Sequence, residues 1–321
     1  MAKSKGHIYW TSVEDFGTCP RLYLWKHGYG SINLGRGPGR PKAKPVDDSR
    51  HHSVMGIVLA KAVEHLYNDE LWREPAKLPE VLENIIYREF TFAISENYVD
   101  WAVAPAKSDM HRTCLNGALG YIQTMKANKL LGPYARSEVN LTAWVDSYTP
   151  VGGTPDVIIR RDDTGVTIID GKNSLTPGLY TDPNQLRWYA MCFYLIYKVI
   201  PKRLAFAYFR YPAGGDPPKG HPEGEPWTGL VDVSLTPEDL TSLGERAKET
   251  LRLMRAELFD PTPSAKACKF CDYQTVCDVA HQPTPRAKKS LPILPGTVEH
   301  ILQDASGMVE FGFGAPGVKG S

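Results

Sequence analysis

Apolar residues recur every three to four positions over 53–72, 78–98 and 108–130, and this period predicts three helices. A shorter helical start covers 8–29, with Ser12 as its expected N-cap and Glu14 in its first turn. The period then falls to two. SEVNLTAWV (137–145) alternates polar and apolar and predicts a strand. GGTPDVIIR (152–160) and GVTIIDGK (165–172) flank the turn RDDTG and predict a hairpin. Helical spacing returns at 182–199 through Leu186, Tyr189, Ala190, Phe193 and Tyr197. Strands at 203–210 and 229–234 follow, with a Gly/Pro-rich loop between them. The last predicted helix, TPEDLTSLGERAKETLRLMRAEL, opens on Thr236 with Asp239 in the capping-box position. The order is helices, three strands, helix, two strands, helix. It predicts an α/β fold, a core sheet flanked by helices with an N-terminal helical layer.

Two stretches carry no period. Residues 30–50, rich in Gly, Pro, Lys and Arg, are expected to be a mobile basic loop. Residues 283–321 are expected to be a flexible tail after a domain spanning 1–282. Within that tail TVEHILQDA could form a helix in a partner's groove.

Composition narrows the function classes. The 321 residues are 42% hydrophobic, enough for a sizeable core, and the formal net charge is only +1. Any nucleic-acid surface must therefore be local. No run of about 18 apolar residues is present, so no membrane span is expected. The N-terminus lacks a secretory pattern, which predicts a cytoplasmic protein. There the six cysteines would be thiols or metal ligands rather than disulfides. The absence of GxxxxGK[ST] argues against an ATP-driven motor.

The candidate chemistry lies in Glu138, Asp156, Asp170 and Lys172. Asp170 and Lys172 are two apart on one predicted strand, so their side chains share a face. Asp156 lies on the preceding strand of the hairpin and Glu138 one strand earlier. Three acids and a lysine can thus meet on one side of a small sheet. Oxygen ligands of this kind hold Mg²⁺ or Mn²⁺. A lysine beside them can orient or deprotonate a water attacking a phosphodiester. A bare Asp-x-Lys has little specificity, and a salt bridge or solvated turn is the alternative for any single acid. The setting adds weight, because VTIIDGK is an apolar strand ending in a charged pair.

Pro155-Asp156, Asp170-Gly171-Lys172 and Gln185-Leu186-Arg187-Trp188-Tyr189 resemble the successive motifs of RecB-like nucleases in the PD-(D/E)XK superfamily. The resemblance covers roughly residues 8–280. It implies a restriction-endonuclease-like core. Asp156 and Asp170 would be metal ligands, with Glu138 as the upstream acid and Lys172 catalytic. Gln185 and Tyr189 would arrange the site. It further implies a DNA exonuclease on single strands or ends, in recombination, repair or end processing, with a recombination or helicase protein as a possible partner. One position departs from the family. Where Gly-x-x-x-His is usual, the chain has Gly56-Ile-Val-Leu-Ala60. Glu64 lies one turn further on the same face and is the expected helper of the metal, directly or through water. A structural salt bridge is its alternative.

Cys268, Cys271 and Cys277 form C-x2-C-x5-C, and Cys19 sits in TCPRLYLW. Thiolates presented on short loops suit a metal or cluster. An early Cys-Pro with a late cysteine trio resembles the iron–sulfur nucleases of the same family, the CRISPR-associated RecB-like exonucleases and AddB-type subunits. That implies a [4Fe–4S] cluster on these four residues, a clasp joining the two ends of the domain. A zinc site is the alternative. Cys114 and Cys192 read as core packing. DNA contacts are expected from Arg36, Arg40, Lys42 and Lys44 in the basic loop, through phosphates. Tyr9, Trp10, Tyr23 and Trp25 could stack on bases, although most such residues at helical spacing belong to a core. Two other readings remain open, a non-catalytic DNA-binding or scaffold subunit and an RNA nuclease.

Overall fold

A computed structural model describes residues 6–28, 51–97, 99, 101–102, 104–174, 181–269, 271, 273–274 and 276–280. All of them fall in one compact unit, Met1–Ala287. Arg36, Arg40, Lys42, Lys44 and the tail 283–321 lie outside the described residues.

The chain opens on a two-residue strand, β1 (Ile8–Tyr9), and runs straight into α1 (Trp10–Thr18). Tyr9 is the N-cap residue and supplies no side-chain bond. Ser12, the expected cap, lies inside the first turn and is buried. The predicted single helix is broken at Cys19, because Pro20 has no N–H to continue it. Pro20 instead starts α2 (Pro20–His27).

Three long helices follow, α3 (His51–Asn68), α4 (Leu78–Glu96) and α5 (Lys107–Ala127). Their apolar faces form one core layer with Val157, Ile159, Ile169, Ala205 and Ala207 of the main sheet. That sheet has the order β2 (Ala135–Ser137), β5 (Val157–Arg161), β6 (Gly165–Lys172), β7 (Arg203–Tyr208), β8 (Leu230–Val233). β6 and β7 pair in parallel, and the other neighbours are antiparallel. A parallel pair needs a crossover, which α6 (Pro183–Tyr197) supplies.

The other face of the sheet presents Ile158, Val166, Ile168, Leu204, Phe206 and Tyr208 to α6 and to α7 (Pro237–Arg255). β5 and β6 thus feed both cores by alternation, as central strands must. Thr236 Oγ1 accepts from Asp239 N–H at 3.2 Å, and Asp239 Oδ2 accepts from Thr236 N–H at 2.8 Å, so the expected capping box is present.

The strand count is where expectation and structure differ. Residues 137–145 do not form one strand. The chain leaves the main sheet at Glu138, whose φ is +52°, and re-enters a second sheet as β3 (Leu141–Trp144). Residues 152–160 divide likewise, between β4 (Pro150–Gly153) and β5. β1, β4 and β3 make this second, three-stranded sheet, which packs on α6. Its Gly152 and Gly153 leave room for rings. A Cβ at Gly152 would stand 2.9 Å from Tyr9 Cζ, and one at Gly153 would stand 2.7 Å from Tyr189 Cδ1. A short helix, α8 (Ala265–Lys269), ends the regular structure. Among the described residues no helix is long and apolar enough to cross a membrane.

Candidate active site

Register places the acids. Ser137 pairs with Val157, and Val157 with Ile169. The next row therefore carries Glu138, Asp156 and Asp170, with Phe206 as the β7 partner of Asp170. Glu138 N–H donates to Asp156 O at 3.1 Å and extends the pairing by one residue. The sheet's end brings the three predicted acids together on adjacent strands.

Asp170 is only 3% exposed. Burial pushes its carboxyl above the usual range, and the Lys172 ammonium opposes that shift. Lys172 Nζ forms an ion pair with Asp170 Oδ2 at 2.5 Å. Asp156 is pushed well up, first by burial and then by the charge of Asp170. One of its oxygens, Oδ2, accepts from Gly171 N–H at 2.6 Å. Burial also raises Glu138, with Glu64 as the next cause. These adjacent carboxylates, Asp170 buried and the other two half-buried, repel one another. Such an oxygen donor set fits a hard divalent cation, which would supply further positive charge.

Lys172 is fixed from α6. Its Nζ donates to Gln185 Oε1 at 2.9 Å, and Gln185 Nε2 donates to Tyr189 Oη at 2.9 Å. The same ammonium sits 5.3 Å from the Phe206 ring centroid. α6 is aimed by its ends and middle. Asp182 caps it by accepting from Asn184 N–H at 2.9 Å, and Trp188 Nε1–H donates to Gly152 O at 2.9 Å. The predicted set Asp156, Asp170, Lys172, Gln185 and Tyr189 is thus one connected arrangement.

Glu64 makes an ion pair with Lys61, one turn earlier on α3, and its charge acts on Glu138. His65 turns aside, its Nδ1 being 2.6 Å from Asp69 Oδ2. Lys61 escaped the sequence reading although its three-residue spacing from Glu64 is a helical pairing signal. Phe206 had no local signal, since it meets Lys172 only through the β6–β7 register. Tyr9, Trp10 and Tyr23 are buried. Trp25 packs against Tyr273, ring centroids 5.4 Å apart.

The four cysteines Cys19, Cys268, Cys271 and Cys277 line one pocket. Cys19 comes from the α1–α2 junction and the others from the segment at and after α8. That segment is docked by Tyr273 Oη–H donating to Trp25 O at 2.8 Å and by Arg21 pairing with Asp278 at 2.5 Å. Burial raises the Cys271 thiol, and the other three sulfurs add to the shift. Four thiols around one pocket fit a thiophilic metal or cluster in chemistry. Cys114 and Cys192 are fully buried in the two cores, as expected. Among the described residues, no three His, Cys, Asp or Glu side chains are already drawn into a metal-binding arrangement.

The family model of the PD-(D/E)XK nuclease superfamily matches residues 10–278. No curated protein matches the chain. A solved structure described as "Crystal structure of SSO0001" is similar at 16% identity and TM-score 0.34, over 87% of this chain and 89% of that one. That likeness is too distant to carry an argument.

Proposed function

The chain belongs to the PD-(D/E)XK nuclease superfamily, and from that premise we propose that it is a Mg²⁺- or Mn²⁺-dependent deoxyribonuclease acting on single strands or DNA ends. The observation that carries the reading is the meeting of Asp156 and buried Asp170 on adjacent strands, with Lys172 paired to Asp170. Asp156 and Asp170 hold the ion, and Glu138 closes the row. When bound there, a divalent ion offsets phosphate charge and makes a coordinated water more acidic.

The protein's own groups do the rest. Gln185 and Asp170 hold the Lys172 ammonium at the edge of the site, leaving a proton on Nζ for a phosphate oxygen or the attacking water. Tyr189 anchors Gln185 in turn. Burial first, and then Asp170, push the Tyr189 phenol well above its usual range, so it remains a neutral partner. Lys61 tempers the charge of Glu64, which supports the site through Glu138 rather than as a direct ligand.

The four cysteines hold a [4Fe–4S] cluster in this reading. Its role is structural, closing the α1–α2 junction onto the chain after α8. The basic segment with Arg36, Arg40, Lys42 and Lys44 contacts DNA phosphates. A role in recombination, repair or end processing, with a helicase or recombination partner, follows from the substrate.

The test is anaerobic purification followed by incubation with end-labelled single-stranded DNA, duplex DNA and RNA plus Mn²⁺. Asp170→Ala and Lys172→Ala are run alongside. DNA degradation lost in both variants supports the reading. Preferred cleavage of RNA overturns the substrate. Binding without cleavage by the wild type replaces the enzyme with a scaffold, and Ala60 is then the first position to examine.

A further inference from the structure

A cation stands just past the catalytic end of the sheet. β6 and β7 stay in register through Lys172 and Tyr208, and Phe209 N–H then donates to Lys172 O at 3.1 Å. Asn173 and Arg210 follow directly on the two chains, and Arg210 Nε donates to Asn173 Oδ1 at 3.1 Å. The backbone that presents Arg210 is fixed on both sides. Phe209 is buried in the helical core, so close to Gly171 that a Cβ there would stand 2.6 Å from Phe209 Cζ. Tyr211 N–H donates to Tyr208 O at 3.2 Å, and Tyr211 O accepts from Trp227 Nε1–H at 2.9 Å.

The other cations near the acid row are matched, Lys172 with Asp170 and Lys61 with Glu64. Arg210 is half-buried and, among the described residues, donates from Nε alone and has no carboxylate within ion-pair distance. Its bond also orients the Asn173 amide, whose oxygen must face the guanidinium. Asn173 Nδ2 is then left buried without a hydrogen-bond partner. A half-buried guanidinium beside an unpartnered amide N–H₂ is a cluster of donors, and it suits an acceptor that carries negative charge. The planar guanidinium matches two oxygens of a phosphate.

We propose that Arg210, set by Asn173, is a substrate-binding residue that grips a non-scissile phosphate of the DNA strand. The proposal rests on reading the acid row as the nuclease centre, because a strand crossing that row brings a further phosphate to the same end of the sheet.

The experiment uses the full chain with Mn²⁺ and end-labelled single-stranded oligonucleotides. One is all phosphodiester, and each of the others carries a single neutral methylphosphonate linkage at a different position. Single-turnover rates against protein concentration give the half-saturating concentration and the limiting rate. Wild type, Arg210→Ala, Arg210→Lys and Asn173→Asp are compared. In wild type one non-scissile neutral linkage should raise the half-saturating concentration roughly tenfold. Arg210→Ala should raise it by the same factor on the unmodified strand, and that linkage should then have no further effect. Arg210→Lys keeps the charge without the fork and should fall between the two. Asn173→Asp gives Arg210 an ion-pair partner and should also weaken binding at that linkage. Equal penalties in wild type and the Arg210 variants at every linkage overturn the proposal. Where Arg210→Ala does not fold, Arg210→Lys decides by the same comparison. A wild type that degrades none of the strands shows that the nuclease reading itself has failed, and the proposal falls with it.

Discussion

Replacing Asp170 by Asn should stabilise the metal-free protein and destabilise the metal-loaded one relative to wild type. Asp170 is 3% exposed, and burial raises its carboxyl despite the nearby Lys172. Asp156 is raised by burial and then by Asp170 itself. A carboxyl with a raised folded-state pKa favours the fold less as pH climbs past its unfolded value, about 3.9. The penalty is complete above the folded value. Asparagine keeps the shape without the charge, and Lys172 retains Gln185 Oε1 as an acceptor. Removing one poorly compensated buried charge should return about 1–2 kcal/mol at pH 7. For a domain of this size 1 kcal/mol is about 2–4 °C, so the metal-free variant should melt about 2–8 °C higher. At about pH 3 the carboxyl is protonated in both states and the difference should vanish. Mn²⁺ at a hundred times its dissociation constant should add about 2.7 kcal/mol to wild type and almost nothing to the variant. The order of melting temperatures then inverts. Scanning calorimetry with chelator and with Mn²⁺, at both pH values, reads all four numbers. A metal-free variant that melts below wild type at pH 7, or an equal Mn²⁺ shift in both proteins, would refute the argument.

Gly153→Ala should push the Tyr189 ring, because the new Cβ stands 2.7 Å from Cδ1. The Gln185–Lys172 support shifts with it, and kcat should fall by about tenfold or more in a single-turnover assay. Thr236→Ala removes the acceptor for Asp239 N–H and should cost about 1 kcal/mol, read as a melting decrease with cleavage unchanged. If the four cysteines hold the proposed cluster, Cys271→Ser should lose its visible absorbance and most of the iron that a colorimetric assay finds in wild type. Retention of both would remove Cys271 from the cluster.

How much was legible follows from the range of the forces involved. The capping box of α7 and strand β6 are local, and the sequence carries both to the residue, whereas the first hairpin strand, expected over 152–160, runs over Val157–Arg161. Asp156, Asp170 and Lys172 were legible because a hairpin of fixed register and a two-residue spacing determine their faces. Gln185 and Tyr189 share a helical face by the four-residue rule. Lys61 was equally local and simply went unread. Phe206 was not legible, since it meets Lys172 through β6–β7 pairing between distant segments.

The splitting of 137–160 shows a different limit. Alternating polarity is the same for one long strand and for two short strands in different sheets. What distinguishes them is the backbone at Glu138, and glutamate is not a residue that announces φ of +52°. A left-handed conformation there costs about 1 kcal/mol or more for a residue with a Cβ. Glycine would adopt it freely, but glycine has no carboxylate. At this position the bend ends β2 and starts the route to β3, while Glu138 N–H remains paired with Asp156 O. The acid is thus held at the sheet's edge, in the row with Asp156 and Asp170, by the same bend that takes the chain into the second sheet. That second sheet carries Gly153, against which Tyr189 rests, and so supports the Lys172 side of the site as well. The strain is placed where both halves of the site depend on it.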